Sequence, residues 1–486
     1  MQFIGLDVGT TGAKALIVDE RGSVLGKGYA GYKLISEGRC VEQRADDWTE
    51  CGSAAIRQAL EGRDVSQIAA VSLSTQGAST VAIDGCGQPI GNAVTWMDYR
   101  AITEANELAE LLGDDYIYRN TGWRMNPALD AAKIMHMKRS GEYKNVKCYL
   151  STVEYVNLFL TGNPVCDPTN SSIRQLYNVP GGGYDSRILD AAGLRYDELP
   201  EILPTGALVG KITPEAAAAT GIPEGTPVYN GAHDQYCASI GTASVENGDL
   251  LLSAGTTWVV MGIDDKPLFT DTYIAPAVHP VPGLYGAIAS LVGSGASLQW
   301  FKNHFVDEGF REIDEKAGLR GQKANELFFY PYLSGVGYPF WNPDARASFT
   351  GVSLEHDKFD FARSIMEASA FSVRRTLEDF TANGFAPKTL RIMGGAAKSK
   401  LWCGLIAAAA NLEVEVSAEN EACALGAAMI AAKGLGVYSN FRDAVSAMAA
   451  KTRSVAPERE LTEALSSKYE KYQRMWSCIA GYYENE

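Results

Sequence analysis

The sequence predicts an α/β protein of two similar lobes, each a mixed sheet flanked by helices. Three observations carry this. The 486 residues exceed one ordinary core, and at about 150 residues per domain they suit three domains or two large lobes. Runs rich in Ile, Leu and Val alternate with helix-like runs, as α/β layers require. One turn also recurs: Gly5-Leu-Asp-Val-Gly-Thr-Thr-Gly-Ala-Lys14 near the start returns, altered, as Leu252-Ser-Ala-Gly-Thr-Thr-Trp258. Two Gly-Thr-Thr turns, each behind a short apolar run, suit two lobes facing one nucleotide.

Residues 2–7 and 13–18 read as strands joined by a Gly-Thr-Thr-Gly turn. Residues 67–73 and 80–84 read as further strands, with turn sequences at 19–22 and 84–89, and residues 101–112 read as a helix. Prolines and glycines punctuate 200–227, after which 228–234 reads as a strand ending in a polar turn. The lobe boundary is placed shortly beyond, giving lobes of residues 1–245 and 246–486. The second lobe starts afresh at 248–261, continues through glycine-rich 286–295, and offers a strand then a loop at 390–397. Helices are expected at 396–410 and at 422–432, where alanines permit close packing. Where 461–486 packs is open.

Composition narrows the function. A formal net charge of −15 repels nucleic acid and anionic membranes, which leaves small-molecule chemistry. Nine cysteines without a Cys-x-x-Cys pair read as reduced thiols, and five dispersed histidines offer no metal cluster. No signal peptide and no apolar run near the roughly 20 residues of a membrane span are visible, so the cytoplasm is expected.

The first turn has readable chemistry. Glycines such as Gly12 let a backbone approach phosphate closely, Thr10 and Thr11 offer hydroxyls and N–H groups, and Lys14 adds positive charge. Asp7 at the strand end can hold Mg²⁺, usually through water. An ordinary tight hairpin is the plain alternative. The spacing matches neither a P-loop nor a dinucleotide fingerprint.

Together these segments resemble the FGGY carbohydrate kinase family, and the match runs through nearly the whole chain. Besides the two turns, Ala347-Ser-Phe-Thr-Gly-Val352 followed by Asp360-Phe-Ala-Arg-Ser-Ile-Met-Glu367 fits the family's second signature. Gly394-Gly-Ala-Ala-Lys-Ser399 with Trp402 resembles its adenosine loop, and Ser294-Gly-Ala-Ser-Leu-Gln-Trp300 the corresponding segment of glycerol kinases. The resemblance implies actin-like (ribonuclease H-like) lobes with a nucleotide cleft between them, and ATP and Mg²⁺ as cofactors. It assigns Gly255 and Thr256 to the second phosphate turn, Gly394, Gly395 and Ser399 to the adenosine loop, and sets Gly295 and Gln299 against the nucleotide. Tyr229-Asn-Gly-Ala-His-Asp-Gln235 is similar to the segment carrying the catalytic base, which makes Asp234 the acceptor of the sugar hydroxyl's proton and His233 a packing neighbour. A homodimer is the expected assembly.

The acceptor side departs from close patterns. Ser74-Thr-Gln-Gly-Ala-Ser-Thr80 stands where xylulokinases usually show Met-His and glycerol kinases Arg-Glu, and Ala128 stands where glycerol kinases place tyrosine. Lys133-Ile-Met-His136 has histidine at the first signature's customary tryptophan. Small residues at Gly77, Ala78 and Ala128 demote glycerol and favour a larger acceptor, with a ketopentose such as xylulose first and another polyol, a hexulose or a sugar acid as the alternative. Gln76 and Gln235 suit hydroxyls, and Trp96 offers a stacking face. Asp98 and Arg100 fit a structural ion pair or a substrate contact equally, and Trp123 reads as core. The non-kinase alternatives are an actin-like ATPase and an inactive regulatory homologue.

Overall fold

The computed structural model describes residues 1–255, 257–291, 293–320, 326–340, 342 and 344–483. It divides into two units. The first comprises Met1–Val245, Pro276–Gly286 and Glu421–Ala450, and the second Glu246–Ala275, Ala287–Asn420 and Lys451–Glu486. Residues 276–286 and 421–450 thus count with the first unit.

The first unit holds a mixed sheet in the order Leu208–Lys211, Pro227–His233, Ile68–Thr75, Gln2–Val8, Gly12–Asp19, Val24–Gly31. Gln2–Val8 and Gly12–Asp19 form an antiparallel hairpin in which Asp7 faces Lys14, while Ile68–Thr75 runs parallel to the first of them. Helix Ala45–Leu60 covers one face and buries Trp48, Ile56 and Leu60 among Ile4, Leu6 and Ile17. Helix Ala422–Gly434 packs on Gln2–Val8, Ile68–Thr75 and helix Asp234–Gly241. Glycine makes that seat possible. A Cβ on Gly5 would lie 1.8 Å from the Ala424 carbonyl oxygen, and one on Gly426 would lie 1.9 Å from that of Cys237. The small residues of the alanine-rich helix thus bring it to backbone contact distance, which is why residues far along the chain belong to the first unit.

The second unit repeats the local pattern. Asp249–Ala254 and Trp258–Asp264 are antiparallel, and Thr389–Met393 lies parallel to the first of them. Val414–Ser417 and Thr452–Val455 extend the sheet. Helix Lys358–Ala382 starts at Asp357, whose carboxylate accepts the Phe359 N–H at 2.9 Å. Glu367 of the second signature is buried in this helix, held by Arg363 at 2.8 Å and Lys468 at 2.6 Å, so its work is to fix helices. Lys468 belongs to the terminal helix Arg459–Tyr483, which also takes the Tyr330 hydroxyl on the Tyr472 carbonyl at 2.8 Å. The chain's last segment is therefore part of the second unit.

Two local expectations shift. Strand Pro227–His233 passes directly into helix Asp234–Gly241 rather than into a polar turn. The helix expected from 396 begins at Lys400, because Gly395–Lys398 form a 3₁₀ turn and Ser399 accepts the Trp402 N–H at 2.8 Å as cap. Among the described residues no helix is long and apolar enough to cross a membrane.

Candidate active site

In the first unit the Gly-Thr-Thr turn is closed by the Gly9 N–H on the Gly12 carbonyl at 3.0 Å. Its own carbonyls are engaged: the Tyr32 hydroxyl donates to Gly9, the Tyr32 N–H to Thr11 at 3.1 Å, and the Gln43 amide to Thr10 at 2.6 Å. With these acceptors and the Gly9 N–H occupied, the turn offers an anion the N–H groups of Thr10 and Thr11 and the exposed Thr11 side chain. The Thr10 hydroxyl accepts the Trp96 indole N–H at 3.0 Å. Gly12 is required, since a Cβ there would stand 2.7 Å from the Ala30 carbonyl oxygen.

Two carboxylates stand behind the turn. The Asp7 carboxyl is pushed up to about 7 by burial and by the negative charge of Asp234, against the pull of the Ser74 hydroxyl, which donates to it at 2.7 Å, and of Lys14. Lys14 pairs with Glu421 at 2.7 Å; burial alone would lower its ammonium's affinity for its proton, but the Glu421 contact outweighs that and raises it. Asp234 opens its helix, and its Oδ1 is buried without a hydrogen-bond partner, with His233 Nε2 3.4 Å away. Neighbouring carboxylates of which one holds its proton near neutrality are a setting in which a divalent cation replaces the proton. Among the described residues no three His, Cys, Asp or Glu side chains gather, so such a cation must complete its shell with water and phosphate oxygens, as Mg²⁺ does. The donor set fits Mg²⁺.

The acceptor residues assemble beside these carboxylates. Gln76 hangs by its N–H on the Val8 carbonyl at 2.9 Å and donates its amide to Gln43 at 2.7 Å. A Cβ on Gly77 would meet Ile173 Cγ2 at 2.5 Å and His233 Cδ2 at 2.6 Å, so the missing side chain is filled by protein rather than left as room for a larger substrate. Ala78 adopts φ 47°, and its carbonyl accepts from the buried Lys133 ammonium at 2.5 Å. Lys133 also holds the carbonyls of Val94 and Thr95 at 3.1 and 3.2 Å, which ties the Gln76–Ala78 segment to the strand leading into Trp96. Its charge is balanced by Asp130 at 3.3 Å, itself paired with Arg174 at 2.6 Å. Trp96 is 38% exposed, as a stacking face must be. Gln235 Oε1 is buried and unpartnered. Asp98 and Arg100 pair at 2.8 Å with Glu42 on the same guanidinium at 2.6 Å, and Asp98 also accepts the Val41 N–H, so these two form the structural pair. Trp123 is half-buried, its carbonyl taken by Gln175 at 3.1 Å.

In the second unit, Gly394 at φ 92° abuts the other turn: its Cβ would lie 2.7 Å from the Ala254 carbonyl oxygen and 3.2 Å from the Gly255 nitrogen. A Cβ on Gly395 would lie 3.8 Å from the same oxygen. Thr256 lies outside the described residues. Ser399 caps its helix and donates to Asp314, so its hydroxyl has structural partners. Gly295 sits in the first turn of helix Ser294–Phe305, and exposed Gln299 gives its amide to Asn303 at 2.7 Å.

Sequence reasoning missed Gln43, Ser74, Glu421 and the part played by Lys133. Gln43 and Glu421 carry no local signal, because each acts across a long stretch of chain. Ser74 and Lys133 stood inside segments already singled out, one at a strand end and the other at the head of Lys133-Ile-Met-His136.

The model of the FGGY family of carbohydrate kinases, N-terminal domain, matches residues 2–241, and that of its C-terminal domain matches residues 250–435. The chain is 26% identical over 483 residues to a xylulose kinase of Staphylococcus epidermidis, covering 97% of this chain and 96% of the relative. It is 27% identical over 501 residues to a gluconokinase of Bacillus licheniformis, covering 100% and 96%. Its fold matches a ligand-bound xylulose kinase from Lactobacillus acidophilus with a TM-score of 0.92, at 24% identity and with 99% of each chain covered.

Proposed function

The chain belongs to the FGGY family of carbohydrate kinases, and from that premise we propose that it transfers the γ-phosphoryl group of Mg-ATP to a hydroxyl of a ketopentose such as xylulose, with Asp234 as general base. The observation that carries the assignment is Asp234 Oδ1: a buried carboxylate oxygen without a hydrogen-bond partner, at a helix start and beside Asp7, is suited to accept a hydroxyl proton.

Phosphoryl transfer has a loose transition state, so catalysis depends on in-line positioning and charge neutralisation more than on the base. The N–H groups and hydroxyls of Thr10 and Thr11, with Gly12 and Lys14, would bind phosphate oxygens. Asp7 would hold Mg²⁺, which when bound neutralises charge on the phosphates. Asp234 would align the acceptor hydroxyl and take its proton late. Trp96 would cover the sugar and exclude water, which otherwise competes as acceptor. By the family resemblance, Gly255 and Thr256 would bind phosphate oxygens, and Gly394 and Gly395, with Gly295, Gln299 and Ser399, the rest of the nucleotide.

The alternative acceptors are another polyol, a hexulose or a sugar acid, the last supported by the likeness to a gluconokinase. An ADP-release assay with Mg-ATP against ketopentoses, hexuloses, polyols, glycerol and sugar acids tests the reading. One acceptor should give turnover that Asp234→Asn reduces by roughly 10²–10⁴-fold with nucleotide binding kept. ATP turnover indifferent to every acceptor would leave an ATPase, and nucleotide binding without turnover an inactive homologue.

A further inference from the structure

Three buried side chains in the first unit form a relay whose polarity has a single solution. The Trp48 indole N–H can only donate, and it meets Gln43 Oε1 at 3.0 Å. That fixes the Gln43 amide: its nitrogen must be the group that donates to the Thr10 carbonyl, at 2.6 Å. Gln43 Oε1 then needs donors alone, so the atom of Gln76 that approaches it at 2.7 Å is the amide nitrogen. Turning Gln43 over would oppose two donors at Trp48 and two acceptors at Thr10, and turning Gln76 over would oppose two acceptors. Gln43 and Trp48 are 0% exposed and Gln76 is 2% exposed, so water cannot relieve such a conflict.

The consequence falls on Gln76 Oε1. It is buried without a partner, one residue from Gly77, where a Cβ would stand 2.6 Å from Cδ2 of His233, the neighbour of Asp234. Of the buried atoms without a partner in these segments, Gln76 Oε1, Gln235 Oε1 and Asp234 Oδ1 accept hydrogen bonds, the Ser79 and Thr80 hydroxyls can give or take one, and His233 Nδ1 does either according to its tautomer. Nearby cations are matched already: Lys14 to Glu421, Lys133 to three carbonyls and Asp130, Arg100 to Asp98 and Glu42, Arg174 to Asp130 and Glu154. Such surroundings suit a ligand that brings O–H donors. A carboxylate would meet cations that are already paired and would bring negative charge towards Asp7 and Asp234.

We propose that the Trp48–Gln43–Gln76 relay makes Gln76 an obligate hydrogen-bond acceptor, and that it thereby sets the acceptor subsite for neutral polyhydroxy compounds and against sugar acids. The inference rests on the kinase reading above and narrows its substrate class. Trp48 and Gln43 are positioning residues that act through Gln76. The same relay grips the Thr10 carbonyl, so one set of amides orders the phosphate turn and the sugar contact together.

The test pairs neutral ketoses and polyols with sugar acids of the same carbon number, using the full chain and Mg-ATP. The unsubstituted protein should favour the neutral members by at least roughly a hundredfold in kcat/KM. A sugar acid turned over as efficiently would overturn the inference while leaving the kinase reading intact; no turnover with any acceptor would overturn the kinase reading itself. A double-mutant cycle then isolates the relay. Trp48→Phe keeps an aromatic ring but removes the N–H, and should raise KM for the neutral acceptor about five- to tenfold, the range of one neutral hydrogen bond, with kcat within about twofold. In a Gln76→Met background the same change should move KM less than about twofold. Equal effects in both backgrounds would reduce Trp48 to a packing residue and overturn the relay. If Trp48→Phe does not fold, the paired panel on the unsubstituted protein still decides the substrate class.

Discussion

Gly77 shows how a residue chosen by the sequence for one reason serves for another. Its small size suggested volume for substrate, whereas the space beside it is filled by His233 and Ile173 at 2.6 and 2.5 Å from where a Cβ would stand. Gly77→Ala should therefore push His233 against Asp234, costing about 1–3 kcal/mol of stability as overpacked sites do, and raising acceptor KM. Thermal melts and acceptor kinetics of the variant check both. Asp7 and Lys14 stand out in the sequence as charged groups at a strand end and beside a glycine-bounded turn, whereas Gln76 and Asp234 stand out through the family resemblance. Gln43 was not: its importance lies in the Trp48 N–H and the Thr10 carbonyl, which only the folded backbone brings to it.

Single elements carry their own pH signature. His279 lies in the Pro276–Gly286 segment, 2% exposed, with Nδ1 accepting the Val281 N–H at 3.0 Å and Nε2 2.7 Å from the Ser239 hydroxyl. Its ring packs edge-on to Tyr236 at 5.6 Å. Burial, reinforced by the charge of Arg442, pushes the imidazole down to about 3 from 6.5. Between those values the unfolded chain binds a proton that the folded one does not, so stability falls as pH drops from 6.5 towards 3, by up to about 1.4 kcal/mol per pH unit. His279→Gln should flatten that limb of the melting temperature against pH, whatever it does to stability at pH 8. Nothing in the sequence marked His279, since five dispersed histidines look alike until burial separates them. Strands were easier to read: residues 2–7 and 13–18 appear as Gln2–Val8 and Gly12–Asp19, because alternating sheet-forming residues and a glycine turn act over a few positions. The Asp234 helix was read as a turn, because its start follows the strand with no punctuation between them.

At the scale of the whole molecule, the first unit is closed by residues that arrive late in the chain. The alanine-rich segment announced a helix with small residues for close packing, but composition cannot say against what it packs, and the structure buries it on nearly every side. Its seat on Gly5 and Cys237 means that residues 1–245 expressed alone should lack a cooperative thermal transition and bind a hydrophobic dye, while the full chain melts cooperatively. Calorimetry and dye fluorescence of the two proteins check this; a sharp, dye-silent transition in the fragment would show the late helix to be dispensable. During synthesis the same seat becomes a matter of time. A ribosome adding about 5–20 residues per second needs roughly ten to forty seconds to travel from Val245 to Ala450. For that interval the nascent sheet waits with the face around Gly5 uncovered, open to whatever apolar surface it meets before its own helix arrives.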